Sequence, residues 1–188
     1  TKDSYSQEKL SHAQHVLKVN HGGSSIGTLI VHNTQNVRHE EIEKVFELDK
    51  EVLLEELIEG IEITVPILDK QALPVIEIRP PEGLEFDYEN KYNGLTAEIC
   101  PPESVDRKLQ IAAQALAEKA HNAIGCRHLS RVDIIVRPSG QMVFLEINTI
   151  PGLTDQSLYP KSAAVAGLQM PDLVKRFVGM VKRDFKVE

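Results

Sequence analysis

Two short β-type runs open the pattern. His15 to Val19 and Thr28 to His32 are apolar and rich in β-branched residues, and they flank a Gly/Ser loop, so each predicts a strand. Arg38 to Asp49 then carries Ile42, Val45 and Phe46 at helical spacing, which predicts a surface helix. "EVLLEELIEG" and "IEITVPIL" predict two further strands, with a turn at Asp69-Lys70 and a third strand in "LPVIEI". From Arg79 to Pro102 the periodicity vanishes among Pro, Gly, Asp, Tyr and Asn; long loops of this kind inside a compact domain are usually lids or binding loops. The clearest helix follows, with Ser104 as N-cap, Leu109, Ala113, Leu116 and Ala120 along one face, and Gly125 as its stop. "YPKSAAVAGL" and "MPDLVKRFVGMVKRDF" predict two more helices, each with Pro at its first position. Strands grouped in antiparallel sets with helices between them predict an α+β fold.

Between the long helix and the last two lies the most informative segment, "VDIIVRPSGQMVFLEINTIPG". Ser130 to Arg137 and Gln141 to Ile147 read as the arms of a hairpin around Pro138-Ser139-Gly140. If Ser139-Gly140 is a two-residue loop, Asp133 faces Glu146 and Arg131 faces Asn148, and all four share one side of the sheet. Like charges directly opposed on a ladder are destabilising, and a cation between them removes the repulsion. Asp, Glu and Asn offer only oxygen, which suits Mg²⁺, an ion that usually takes one or two carboxylates and leaves room for phosphate. A Mg-nucleotide site therefore fits these residues. A solvated open face fits them too.

Composition narrows the field. At 188 residues the chain can bury a real core as one domain or two small lobes. Its net charge of −7 without a basic run offers nothing to nucleic acid or an anionic membrane. No apolar stretch approaches the about 20 residues that span a bilayer. Two cysteines in no recognisable pattern, and no signal peptide, predict a reduced, cytoplasmic protein. The chain opens on Thr1 in a polar run, which reads like a piece of something longer.

Other residues carry candidate chemistry with more than one reading. "KVNHGGSSIG" sets Lys18 at a strand end before Gly22, Gly23, Ser24, Ser25 and Gly27, where backbone N–H groups, hydroxyls and one point charge could cradle phosphate. A flexible hairpin turn explains the same residues, and the Walker pattern is absent. Glu55, Glu56, Glu59 and Glu62 cluster at a strand junction, where a carboxylate could accept from adenine or ribose, or could simply form a solvated edge. Lys91 and Tyr92 lie inside the long loop, where a cation and a phenol could close over a ligand. Seven His and two Cys make no zinc-ligand spacing.

In this order, "GGSSIG", "DYENKY", "SRVDI" and above all "LEINTIPGLTDQSLYP" resemble the D-alanine–D-alanine ligases of the ATP-grasp superfamily, from about Val16 to Phe185. The resemblance implies an ATP-grasp fold, with antiparallel sheets flanked by helices and two lobes gripping a nucleotide. It divides the chain into residues 1–80 as a small lobe, 81–102 as a lid loop and 103–188 as a large lobe with the metal hairpin. It further implies an ATP-dependent ligase that joins two D-alanines through an acyl phosphate, in cell-wall peptidoglycan precursor synthesis.

The implied roles fall on particular residues. Lys18, Ser25 and Lys91 contact ATP phosphate, with Ser24 in the phosphate-covering loop. Glu55, Glu56, Leu57 and Ile58 form the adenine-reading segment, and Glu62 binds ribose. Asp133, Glu146 and Asn148 hold two Mg²⁺ ions, for which Mn²⁺ can substitute, with Glu146 bridging. Arg131 and the Gly152 backbone stabilise the tetrahedral intermediate, while Ser157 and Leu158 receive the second D-alanine's carboxylate. Tyr92 stands where relatives accepting D-lactate carry His, which favours D-alanine as second substrate; D-serine stays open. Where the family usually has Pro after the strand lysine and an acidic residue before Gly-Ser-Ser, this chain has Val19 and Gly22. The family's N-terminal domain, which holds the first D-alanine, has no counterpart in the residues before Lys18, so the isolated piece is expected to turn over little. A homodimer is open to the full-length enzyme. Two other readings remain: another ATP-grasp acid–amine ligase, and a non-catalytic fragment that holds Mg-ATP.

Overall fold

Leu17 lies at the centre of the first sheet because its neighbours in the ladder are also leucines, Leu29 on one side and Leu54 on the other. The strands are β1 (His15–Val19), β2 (Thr28–Val31) and β3 (Val52–Glu56), all antiparallel in the order β2-β1-β3. Between β2 and β3 runs the helix α2 (His39–Leu48), and a short α1 (Lys2–Tyr5) precedes the sheet. Ile42 and Val45 of α2 pack with Leu17, and Phe46, Val19 and Val52 complete the cluster. His15 is buried and satisfied, with Tyr5 Oη at 2.7 Å from Nε2 and the Ala13 carbonyl at 2.8 Å from Nδ1. The computed structural model describes residues 1–5, 13–23, 25–33, 39–81 and 96–186. It divides into two compact units, with the boundary between Ile58 and Glu59.

The second unit is built on a longer antiparallel sheet. Its strands are β4 (Ile61–Leu68), β5 (Gln71–Ala72), β6 (Ile76–Arg79), β7 (Ala97–Ile99), β8 (Leu129–Val136) and β9 (Met142–Asn148). They run in the order β7-β6-β4-β8-β9, with β5 paired to β4. Strict alternation along β8 sends Val132, Ile134 and Val136 into a core with Ile63, Val65 and Ile67 of β4. The helix α3 (Arg107–Ala123) closes that core with Ala113 and Ala117, small residues that let helix and sheet approach. A second cluster joins Leu68 and Leu73 to the helices α4 (Leu158–Val165) and α5 (Met170–Phe185) through Tyr159, Ala163, Leu173 and Met180. Tyr159 is fully buried and donates its hydroxyl to the Ile67 carbonyl at 2.7 Å. Gly60 sits where β4 begins; a Cβ there would stand 2.3 Å from the Val136 carbonyl oxygen, so only glycine permits this close backbone approach.

The α+β expectation holds, and several details shift. One compact unit ends at Ile58 and the next begins at Glu59, because β4 and β6 belong to the sheet that contains β8. "LPVIEI" supplies a strand only over its end, Ile76–Arg79. The expected lid segment includes the strand Ala97–Ile99 at its end, and residues 82–95, with Lys91 and Tyr92, lie outside the described residues. Asp106, not Ser104, caps α3, its carboxylate accepting from the Leu109 N–H at 2.9 Å. Gly125 stops that helix as expected, with φ of +73°. The helix α4 begins at Leu158, so Pro160 stands third in it rather than first.

One residue of α3 departs from its polar label. His121 is fully buried, with Nδ1 at 2.7 Å from Ser130 Oγ, while Nε2 is buried without a hydrogen-bond partner among the described residues. Burial, with a smaller contribution from Lys70, depresses the imidazole pKa below its ordinary value. The unfolded chain then binds the proton more readily than the folded one, so stability is greatest above the ordinary histidine range and falls as pH drops through it. Urea midpoints measured from pH 8 down to pH 5 should decline for this reason, and the decline should be shallower in His121→Gln. Identical slopes in the two proteins would remove His121 from the account.

Candidate functional site

The hairpin of β8 and β9 carries the densest set of candidate groups. Its loop is closed by the Arg137 N–H donating to Gln141 O at 2.9 Å, and the Gly140 N–H donates to Arg137 O at 2.8 Å. The loop therefore has three residues, Pro138-Ser139-Gly140, with Gly140 at φ +82°. That is one residue longer than the two-residue turn read from sequence, and near the turn the register shifts with it, pairing Val136 with Met142. A β-bulge then intervenes: Ile134 pairs with Phe144 and Asp133 with Glu146, leaving Leu145 as the extra residue. The two one-residue displacements cancel. Asp133 does face Glu146, and Arg131 faces Asn148.

A single rung of the sheet now reads Ile76, Thr64, Asp133, Glu146 across β6, β4, β8 and β9. It passes from fully buried isoleucine to exposed carboxylate. Arg131 lies on the same side and grips Asp133, with Nε 2.9 Å from Oδ1 and Nη2 2.8 Å from Oδ2. Side-chain exposures of 18% and 13% make this a well-shielded pair. Burial alone would lower the Arg131 pKa, but the hydrogen bonds and charge of Asp133, aided by Glu146 and Glu62, outweigh it and hold the guanidinium above its ordinary value. Arg131 thus offsets the carboxylate repulsion that the sequence pattern raised.

Asp133 Oδ1 accepts from both Arg131 Nε and Thr64 Oγ1, while among the described residues Oδ2 accepts only from Arg131, which leaves it one lone pair. Among the described residues the Glu146 side chain makes no hydrogen bond, and Asn148 Oδ1 accepts only the Ile150 N–H, at 3.0 Å. Three oxygen donors with open lone pairs suit a hard cation such as Mg²⁺. Among the described residues no three His, Cys, Asp or Glu side chains gather as a metal cluster, so the set has two carboxylates and one amide.

Beyond β9 the chain turns into α4. A Cβ on Gly152 would lie 2.7 Å from Ser157 Oγ, so the two residues named from sequence come together. Ser157 caps α4 by position, yet its hydroxyl turns back to accept the Thr154 N–H at 3.1 Å, and Leu158 is the first helical residue. Burial pushes the Cys100 thiol up to about 11 and raises Cys126 as well, so neither is poised as a thiolate.

In the first unit, Lys18 Nζ lies 2.6 Å from Glu55 Oε2. Lys18 and Glu55, candidates for phosphate and adenine, are therefore neighbours across β1 and β3, with Glu56 exposed beside them. Leu57 and Ile58 follow β3 and are half-buried. Ser25 has φ of +61° and Gly27 of +72°, so the Gly/Ser turn is bent through left-handed backbone. Ser24 lies outside the described residues. Val19 and Gly22, the two departures from the family pattern, prove linked: a Cβ at Gly22 would stand 2.6 Å from Val19 Cγ2. A β-branched residue at 19 fills the space that a side chain at 22 would need.

The sequence reading missed Thr64. It is 1% exposed, and its hydroxyl donates to Asp133 Oδ1 at 2.5 Å. The signal was present in "EITVP", where Glu62 and Thr64 alternate with the apolar Ile63 and Val65 on a strand otherwise built for a core.

A three-stranded unit with a Gly/Ser turn beside a strand lysine, followed by a unit whose sheet displays Arg131, Asp133, Glu146 and Asn148, is the ATP-grasp fold, as its structural neighbours bear out. Residues 5–179 match the family described as the D-ala D-ala ligase C-terminus, and the chain belongs to that family. It is 44% identical over 175 residues to the D-alanine–D-alanine ligase of Syntrophobacter fumaroxidans, covering 90% of this chain and 55% of the relative. Among solved structures, the Bacillus anthracis D-alanine–D-alanine ligase complexed with ATP aligns with a TM-score of 0.75 at 31% identity, covering 94% of this chain and 55% of that one. The Enterococcus faecalis D-Ala:D-Ser ligase aligns with a TM-score of 0.76 at 33% identity, covering 95% and 52%. The chain thus spans about half the length of the curated relatives it matches.

Proposed function

We propose that this chain supplies the nucleotide-handling and catalytic portion of an ATP-dependent D-alanine–D-alanine ligase of cell-wall peptidoglycan synthesis. The observation that carries the reading is the paired set Arg131–Asn148 and Asp133–Glu146 on one side of the hairpin, in a chain of this family. In the reaction, the carboxylate of one D-alanine attacks the γ-phosphorus of ATP, giving an acyl phosphate as ADP leaves. The amine of the second D-alanine then attacks the acyl carbon, loses a proton and expels phosphate.

The protein's contribution to such chemistry is mainly placed charge. Asp133, Glu146 and Asn148 would hold the Mg²⁺ ions, whose chemistry is to neutralise phosphate charge and polarise the transferring group. Mn²⁺ satisfies the same oxygen donors. Lys18 and Lys91 bind ATP phosphates with the loop of Ser24 and Ser25. Glu55 to Ile58 read adenine, and Glu62 accepts from ribose. Arg131, already the cation among Asp133, Glu146 and Glu62, stabilises the oxyanion of the tetrahedral intermediate together with the Gly152 backbone. Tyr92 completes the first D-alanine's site; Ser157 and Leu158 receive the second substrate's carboxylate. The segment 81–102 serves as the lid, a homodimer is open to the complete enzyme, and the reaction is cytoplasmic. Among the described residues no helix is long and apolar enough to cross a membrane.

The test compares the chain alone with the chain joined to the remaining half of the S. fumaroxidans relative. Phosphate release from ATP should depend on D-alanine in the extended protein and be small in the chain alone. Dipeptide identified by mass spectrometry fixes the second substrate. An extended, folded protein that releases no phosphate on D-alanine addition would overturn the ligase reading.

A further inference from the structure

Asp133 is placed by a strand that does not otherwise belong to the hairpin. On β4, Thr64 is its direct register partner, 1% exposed and flanked on the other side by the fully buried Ile76 of β6. Its hydroxyl lies 2.5 Å from Asp133 Oδ1 and 3.3 Å from the Val132 carbonyl. Since a hydroxyl has one proton, the shorter contact is where the proton goes, and the carbonyl is a secondary acceptor. Arg131 Nε meets the same carboxylate oxygen at 2.9 Å, so Oδ1 accepts two donors. Among the described residues Oδ2 receives only Arg131 Nη2, at 2.8 Å. Among the described residues one oxygen is thus saturated, and the other keeps a lone pair.

We infer that Thr64 is a positioning residue for the divalent metal, acting through Asp133 by occupying Oδ1 and so reserving Oδ2 as its single ligating oxygen. This deepens the ligase reading and rests on its assignment of Asp133 as a metal ligand. Two features of the rung support it. The hydroxyl is buried beside an apolar neighbour, so its hydrogen bond is shielded from competing water. It also reaches Asp133 from a different strand than Arg131 does, so the carboxylate plane is fixed from two sides and cannot swing to offer both oxygens. Ligand-orienting groups of this kind typically change metal affinity by about 10–100-fold when removed.

The test reads metal binding rather than turnover. Free Mn²⁺ is titrated by electron paramagnetic resonance into the 188-residue chain with ADP present, and ADP binding is measured separately without metal. Thr64→Val keeps the shape and removes the donor; Thr64→Ser keeps the donor. Mn²⁺ affinity should fall about tenfold or more in Thr64→Val and stay within about threefold in Thr64→Ser, with metal-free ADP binding unchanged in both. Should Thr64→Val fail to fold, Thr64→Ala replaces it and must show the same loss relative to Thr64→Ser. A folded Val or Ala variant that binds Mn²⁺ as the parent does would overturn the role of Thr64 while leaving the ligase reading intact. A parent chain that binds ADP but no Mn²⁺ would overturn both.

Discussion

Replacing Glu146 with Gln is expected to reduce ligation in the extended protein by about 10²–10³-fold or more, because it removes the proposed bridging ligand from a site where fixed charge supplies most of the catalysis. The same change should leave the ligand-free fold nearly untouched. Glu146 is exposed on β9, and among the described residues its side chain makes no hydrogen bond, so no buried group loses a partner. Two electrostatic effects oppose one another there. Loss of the charge relieves the cross-strand repulsion with Asp133, and it also removes one of the carboxylates that favour the Arg131 cation. Surface substitutions of this kind fall within about 0.5 kcal/mol, or roughly 1–2 °C in Tm for a chain of this size. Thermal melts with and without Mg-ATP separate the two effects: an unchanged apo Tm with a lost nucleotide-dependent rise is the expected pair of results. An apo Tm lowered by several degrees would make Glu146 a structural residue instead.

Much of this site was legible in the sequence, for an identifiable reason. Along β8 every second residue from Ser130 to Val136 points to the core, so Arg131 and Asp133 had to share the opposite side whatever the turn did. Their partners were harder to place. The three-residue turn moves the register by one, and only the bulge at Leu145 restores it. Leu145 carries no Gly or Pro to mark a bulge. Its position follows from how the sheet twists, which the local pattern does not contain. The match between Asp133 and Glu146 was therefore reached through two compensating departures from an ideal hairpin.

The unit boundary was less legible. "EVLLEELIEG" and "IEITVPIL" are adjacent in sequence and similar in composition, yet β3 pairs with β1 and β4 pairs with β8. What separates them is the run from Leu57 to Gly60, ending where the chain presses against the Val136 carbonyl. A pairing between residues as distant as Thr64 and Asp133 leaves no local signature. For the same reason Thr64 went unnoticed: its role depends on which strand lies beside it. His121 and Gln110 illustrate a further limit, since a helix facing a mixed core buries polar groups that meet partners on it, here Ser130 and the Val105 carbonyl.

Arg131 is expected to behave oppositely to Glu146. Arg131→Met should cost the ligand-free protein about 2–4 kcal/mol, because it leaves Asp133 largely buried with only the Thr64 hydroxyl as a partner and restores its repulsion with Glu146. In a chain of this size that is a fall in Tm of about 4–16 °C. Asp133→Asn should cost less. It removes one of three carboxylates near Arg131, and Glu62 and Glu146 still favour the cation. Combining Arg131→Met with Asp133→Asn should restore part of the stability, since the one carboxylate left on the rung, Glu146, is exposed to water and paired removal of a shielded ion pair is often close to neutral. A double-mutant cycle in urea measures this directly, with the coupling taken from the four unfolding free energies. Near-zero coupling, with Arg131→Met as stable as the parent, would show the pair to be solvent-screened and without a part in the apo fold. Strong coupling would mean that the guanidinium compensates the Asp133 carboxylate in the fold itself, before any proposed Mg²⁺ ion is added.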